Sequence, residues 1–208
     1  MIDPATAIAY IAVVLGFVFI PGPATLLTIA RATSSGTRVG IATGGGIAAG
    51  DVFHTAMAMV GISAIIATSA TLFSIVKYIG AAYLVYLGIR AIIEKAPSDP
   101  TAGALAISAG KAFRQAVLTE VLNPKTALFF LAFLPQFVRP ESGSVMVQLA
   151  VLGIIFVMLG LFSTVVFAVS AGRLGSFLRR NPTVLKWQGK VVGGIYCALG
   201  VRLALQQR

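Results

Sequence analysis

The residues of this chain that could do chemistry are few, and they gather around two breaks in long apolar runs. There are six acidic residues and one histidine in the whole sequence. Of the acids, Asp51 is the one placed deep inside an apolar run. From a helix start near Ile41 it lies about 15 Å along the axis, near the middle of a bilayer core about 30 Å thick. A charge there costs at least about 2.5–3.5 kcal/mol, so the carboxyl is expected to face the protein interior with a partner or a bound proton. Such a group suits the loading and release of a proton during transport. The competing role is structural, an aspartate bonded to the freed backbone of a broken helix. His54 shares a helix face with Asp51. Two roles fit it: a proton relay to Asp51, or the commoner role of a lone intramembrane histidine, a hydrogen bond at a helix contact. Just upstream, Gly46-x-x-x-Gly50 lets another helix backbone come close. Packing is its expected role, ahead of dimerisation.

The breaks are Pro21-Gly22-Pro23 and Asn123-Pro124-Lys125. Proline has no N–H and clashes with the preceding turn, so carbonyls one turn earlier lose their partners. Such groups are tolerated at membrane depth only when buried in protein or lining a wet cavity. Half-helix N-termini at Ala24 and Thr126 would offer partial positive charge to a carboxylate, and half-helix C-termini near Phe19 and Leu122 would attract an ammonium. An amino acid carries both groups. Asn123 can donate and accept at the second break, Glu120 could meet an amine or a proton, and Lys125 could enter the cavity or reach a surface. Tyr83 is either a cavity donor or an interface anchor, the commoner role. Phe129, Phe130 and Phe133 read as lipid-facing or packing residues.

The elements that must hold these residues are membrane helices. Of 208 residues 58% are hydrophobic and 11% charged, with a mean hydropathy of +0.95, outside the makeup of soluble domains. Apolar runs predict six spans, at about 4–31, 41–66, 71–93, 113–138, 145–171 and 188–205. The short alternating segments of a β-barrel are absent. The net charge of +10 does not point to nucleic acid, because the basic residues sit in connections between spans. They concentrate after spans one, three and five, whereas the other side holds Arg139. The positive-inside rule therefore places both termini outside, with Arg202 and Arg208 counting against it. The N-terminal run lacks the basic flank of a signal peptide and reads as retained. Neither a cofactor nor a metal is expected, since there is no GxxxxGK[ST] motif and only one cysteine accompanies the single histidine. Pumping would draw on an ion gradient or the membrane potential.

The ends of the two halves repeat. Lys77, Gly80 and Tyr83 precede Gly88-Ile89-Arg90, and Lys190, Gly193 and Tyr196 precede Gly200-Val201-Arg202 at nearly constant separation. The polar stretch 94–111 divides the chain into halves of about 1–93 and 112–208 within one membrane domain spanning 1–208. Three spans per half force the second copy to enter from the opposite side, so the expected fold is all-α: six transmembrane helices as a 3+3 inverted repeat, with helices one and four broken.

Taken together, Phe19-Ile20-Pro21-Gly22-Pro23, Gly46-x-x-x-Gly50-Asp51, the Gly80-to-Arg90 stretch and Asn123-Pro124-Lys125 through Phe137 resemble the LysE/RhtB family of amino-acid exporters over nearly the whole chain. The resemblance implies a multi-pass protein of the bacterial inner membrane that exports amino acids or their derivatives, such as basic amino acids, threonine, homoserine and its lactone, or leucine, in exchange for protons. Its partners would be the substrate, protons and the lipid bilayer, with a homodimer as a further candidate. Two positions depart from the family pattern: Ala24 replaces a common polar residue and Glu120 a common asparagine. The first would favour more apolar side chains in the substrate. Two other classes remain open at this point, an exporter of another small solute or cation and an intramembrane enzyme using Asp51 with His54 or Glu120.

Overall fold

A computed structural model of the chain describes residues 2–19, 22–68, 70–93 and 106–180, and in the last stretch residues 187, 190, 191, 193, 194, 197, 198, 200, 201, 204 and 205. Pro21, Tyr196 and most of the connection at 94–111 lie outside the described residues, as does much of the sixth expected span. Among the described residues every regular element is helical: α1 (Pro4–Phe19), α2 (Pro23–Ser35), α3 (Thr37–Thr68), α4 (Ala70–Ile93), α5 (Ala109–Val121), α6 (Pro124–Leu128) and α7 (Val145–Arg180). Between α6 and α7 the chain tightens through a π-helical turn at Phe129–Phe133 and short 3-10 turns at Leu134–Phe137 and Pro140–Ser142.

Within α7, Val145–Ala171 is long and apolar enough to cross a membrane unbroken. α1 with α2, and α5 with the segment Lys125–Phe137, meet the same standard as pairs bent by 52° and 46°. By length and composition the described chain thus holds one crossing, or up to three if each bent pair is one span. The bends fall where the sequence places proline. Gly22 caps α2 in extended conformation with Pro23 as its first residue, and Asn123 caps α6 ahead of Pro124, its side chain accepting from the Lys125 N–H at 3.1 Å. Both are the starts that proline favours, since its missing N–H would be unsatisfied there anyway.

The start of α1 is fixed by Asp3, which accepts from the Thr6 N–H and Oγ1 at 2.9 and 2.7 Å and pairs with exposed Arg139 at 3.3 Å. The Thr6 hydrogen bonds hold the Asp3 carboxyl below its ordinary pKa. One core, largely aromatic, forms where α1, the π-turn and α7 meet. Phe129 stacks within 4.6 Å of Phe17 and 4.9 Å of Phe156, and Tyr10 donates to the Leu152 carbonyl at 3.0 Å. Phe129, Phe130 and Phe133 are all buried, so they pack and do not face lipid.

α3 is gripped on two sides through small residues. A Cβ at Gly46 would stand 2.3 Å from the Phe113 carbonyl of α5, and one at Gly50 would stand 2.5 Å from Glu120 Cβ. Against α7 the contacts are reciprocal: Gly44 faces Thr164, and Gly153 faces Thr55. The two helices run antiparallel here, because Asp51, between the two α3 positions, faces Gly160, between the two on α7. The end of α4 meets the C-terminal residues the same way, Gly88 against Gly193 and Ala81 against Gly200, with Cys197 Sγ 3.7 Å from the Val85 carbonyl.

Overpacking predicts the cost of filling these contacts. Gly46→Ala should destabilise the protein by about 1–3 kcal/mol. Gly16→Ala, where nothing lies within 4 Å, should be neutral or stabilise by up to about 1 kcal/mol. Unfolding of both variants in detergent, compared with the parent, checks this.

Candidate functional site

The two breaks and the middle of α3 converge on a cavity of about 40 Å³. Since about 10–15 Å³ accommodates one water, it has room for a few. Gly22, Pro23, Ala24 and Thr25 line it from the first break; Glu120, Asn123, Lys125 and Thr126 from the second; Ile47 and Asp51 from α3; and Phe156, Gly160 and Thr164 from α7, with Phe17 and Val18 at the end of α1.

Each break frees carbonyls, and each is repaired by a side chain from elsewhere. A proline at 21 has no N–H to offer the carbonyl of residue 17. The Lys125 ammonium supplies that bond, donating to the Phe17 carbonyl at 3.2 Å while lying 4.1 Å from the Phe17 ring centroid. Ser163 Oγ donates to the next carbonyl, Val18, at 2.9 Å. A proline at 124 likewise has nothing to give the carbonyl of Glu120. His54 Nε2 lies 2.9 Å from it, and because a carbonyl only accepts, Nε2 carries the proton. The Glu120 carbonyl also accepts from the Asn123 N–H at 2.9 Å.

The carboxyl of Glu120 folds back over its own break. Asn123 Nδ2 donates to both of its oxygens, at 3.2 and 3.1 Å, and Thr126 Oγ1 donates to Oε1. At 2% exposure Glu120 is as deeply buried as Asp51, also 2%, although the sequence placed only Asp51 at depth. Both carboxyls line the same cavity, with Lys125 beside them. Asp51 Oδ1 is buried and has no donor among the described residues.

Asp51, Glu120, Asn123, Lys125, Gly22 and Pro23 are therefore gathered at one cavity. His54 is held just outside it, stacked on Phe130 at 5.9 Å between ring centroids. Pro124 starts α6. Gly46 and Gly50 form the contact with α5. Tyr83 is not brought in: it sits on α4 in ring contact with exposed Tyr86 at 5.6 Å. Sequence reasoning missed Ser163, Thr164 and Gly160. Their signal was available, two adjacent hydroxyls and a glycine inside the most apolar run. Among the described residues no group of three His, Cys, Asp or Glu side chains could hold a metal.

Comparison with known proteins adds to this geometry. A family model described as LysE type translocator matches residues 15–207. An uncharacterised membrane protein of Vibrio cholerae is 33% identical over 95% of both chains. Another of Bacillus subtilis is 31% identical over 95% of this chain and 98% of its own. A homoserine/homoserine lactone efflux protein of Salmonella typhimurium is 28% identical over 88% of each. No solved structure matches.

The repair of the second break predicts that His54→Ala destabilises the protein by about 0.5–1.5 kcal/mol, the cost of one of the two hydrogen bonds that the buried Glu120 carbonyl accepts. Thermal unfolding in detergent measures it, and an unchanged midpoint would remove His54 from that role.

Proposed function

The chain belongs to the LysE type translocator family, and from that premise we propose that it exports amino acids or amino-acid derivatives across the bacterial inner membrane by proton antiport. Family membership makes it a membrane transport protein and not an enzyme. The observation that carries the finer reading is the pair of buried carboxyls, Asp51 and Glu120, set at a cavity bounded by both helix breaks.

The cavity has groups that complement both charges of a zwitterion. α2 begins at Gly22, which has no side chain to cap it, and its first residues line the cavity. Helix N–H groups and the helix dipole there favour a carboxylate. The acidic pair and the freed Phe17 carbonyl at the end of α1 favour an ammonium. On this reading Asp51 holds a proton while no substrate is bound, and an arriving ammonium stabilises its charged form and releases that proton. Loading of substrate and loading of a proton thus exclude each other, which is the requirement of antiport. Ala24 widens the carboxylate side without adding a polar group, in keeping with a less polar side chain on the substrate. The Salmonella relative, a homoserine/homoserine lactone efflux protein, supports an amino compound of modest size.

Room for only a few waters implies that substrate enters by motion of the halves. The reciprocal contacts of α3 with α7, and of α4 with the C-terminal residues, support a 3+3 inverted repeat within a single membrane domain, the arrangement in which one repeat rocks against the other. On this reading both termini lie on the periplasmic side.

Uptake of a panel of radiolabelled amino acids, homoserine included, into everted vesicles tests the proposal. Accumulation of one class is expected to depend on an imposed proton gradient. Asp51→Asn should abolish gradient-driven accumulation. Wild-type gradient-driven uptake by Asp51→Asn would overturn the proton role, and no uptake of any amino acid beside a working control exporter would overturn the substrate class.

A further inference from the structure

We propose that Lys125 is the resting occupant of the subsite that receives the substrate's ammonium, a tethered cation that each incoming amine displaces. The inference rests on the reading that the breaks receive an amino compound, and it adds what fills that place when no substrate is bound.

Lys125 begins beside the second break but ends at the first. Its ammonium donates to the Phe17 carbonyl and lies over the Phe17 ring. The end of its stem passes so close to Gly22 that a Cβ there would stand 3.2 Å from Nζ. The ammonium thus sits at the C-terminal end of the half-helix α1, where the helix dipole favours a cation. Among the described residues, Asp51 on α3 and Glu120 on α5 line the same cavity as the ammonium and act on its charge. A freed carbonyl, an aromatic face and two carboxyls are what a primary ammonium seeks in an apolar interior, and Lys125 already holds one there.

Lysine suits a removable plug. Its ammonium is a compact charge on a flexible four-carbon stem, without the planar fork that fixes arginine to a partner. An incoming primary ammonium brings the same charge and the same donors, so the exchange leaves the Phe17 carbonyl bonded throughout. The displaced head has the Asp51 and Glu120 carboxyls within its own electrostatic reach. The first break would then have a cation in both the empty and the loaded protein, and its backbone would never be bare.

The test is chemical rescue in full-length protein purified in detergent. Lys125→Ala removes the side chain beyond Cβ, and n-propylammonium restores the missing atoms. The melting temperature of Lys125→Ala should rise by several degrees with millimolar n-propylammonium and not with n-propanol. Wild type and Lys111→Ala, whose lysine is exposed on α5, should not respond. A response of Lys125→Ala no larger than that of wild type would overturn the proposal. If Lys125→Ala does not fold, Lys125→Gln keeps a donor near the break without the charge, and its binding of n-propylammonium should be about tenfold tighter than that of wild type. Equal or weaker binding would overturn the proposal. Neither readout uses amino-acid transport, so rescue together with absent uptake would leave Lys125 in its place and remove the exporter reading alone.

Discussion

A backbone carbonyl that has lost its N–H partner cannot stay bare in an apolar interior. The structure around both breaks is organised by that constraint. Proline deletes the donors for residues 17 and 120, and side chains from far along the chain step in: Lys125 for the first, His54 beside the local Asn123 N–H for the second, with Ser163 serving Val18. Each repair crosses between helices. The first break is thereby tied to the second and to α7, and the second to α3. Four segments are pinned around one small cavity.

The repair of the first break brings a consequence for charge. Its donor is a cation, and a cation in an apolar interior needs anions nearby. Asp51 and Glu120 line the same cavity as the lysine, and the Glu120 carboxyl is held from the side by Asn123 and Thr126. An apolar substitute for Lys125 would leave the Phe17 carbonyl without that donor. The glycines contribute by distance: Gly50 lets Glu120 lie against α3, and Gly160 leaves the space beside Asp51 unfilled.

Much of this was legible from residue types alone. Proline and glycine punctuate the apolar runs where the helices bend, and a lone aspartate in such a run announces a buried site. The described residues of the first five predicted spans are mostly helical, with Gly36 separating α2 from α3, but by length and apolar character one to three of them qualify as crossings. The depth of Glu120 was not legible, because its burial comes from α5 lying against Gly46 and Gly50 and not from its place in a hydropathy profile. The identity of each carbonyl's new partner was also hidden. His54 was expected to make a hydrogen bond at a helix contact ahead of a relay to Asp51, but only the tertiary fold shows that its partner is the Glu120 backbone. Phe129, Phe130 and Phe133 could have faced lipid until the π-turn was seen to direct all three inward. Ser163 and Thr164 were obscured by their setting, a stretch with mean hydropathy 2.7.

The contact between α3 and α7 carries an implication for how such a sequence can change over generations. Gly44 accommodates Thr164 and Gly153 accommodates Thr55, so each half supplies the cleft for the other half's hydroxyl. A bulkier residue arising at 44 would meet Thr164 and could be relieved by a smaller residue there, whereas one at 153 would meet Thr55. The two halves would then diverge in appearance while remaining bound to one another position by position. Among relatives, variation at these sites should travel in crossed pairs, 44 with 164 and 55 with 153, as the inherited trace of helices that meet head to tail.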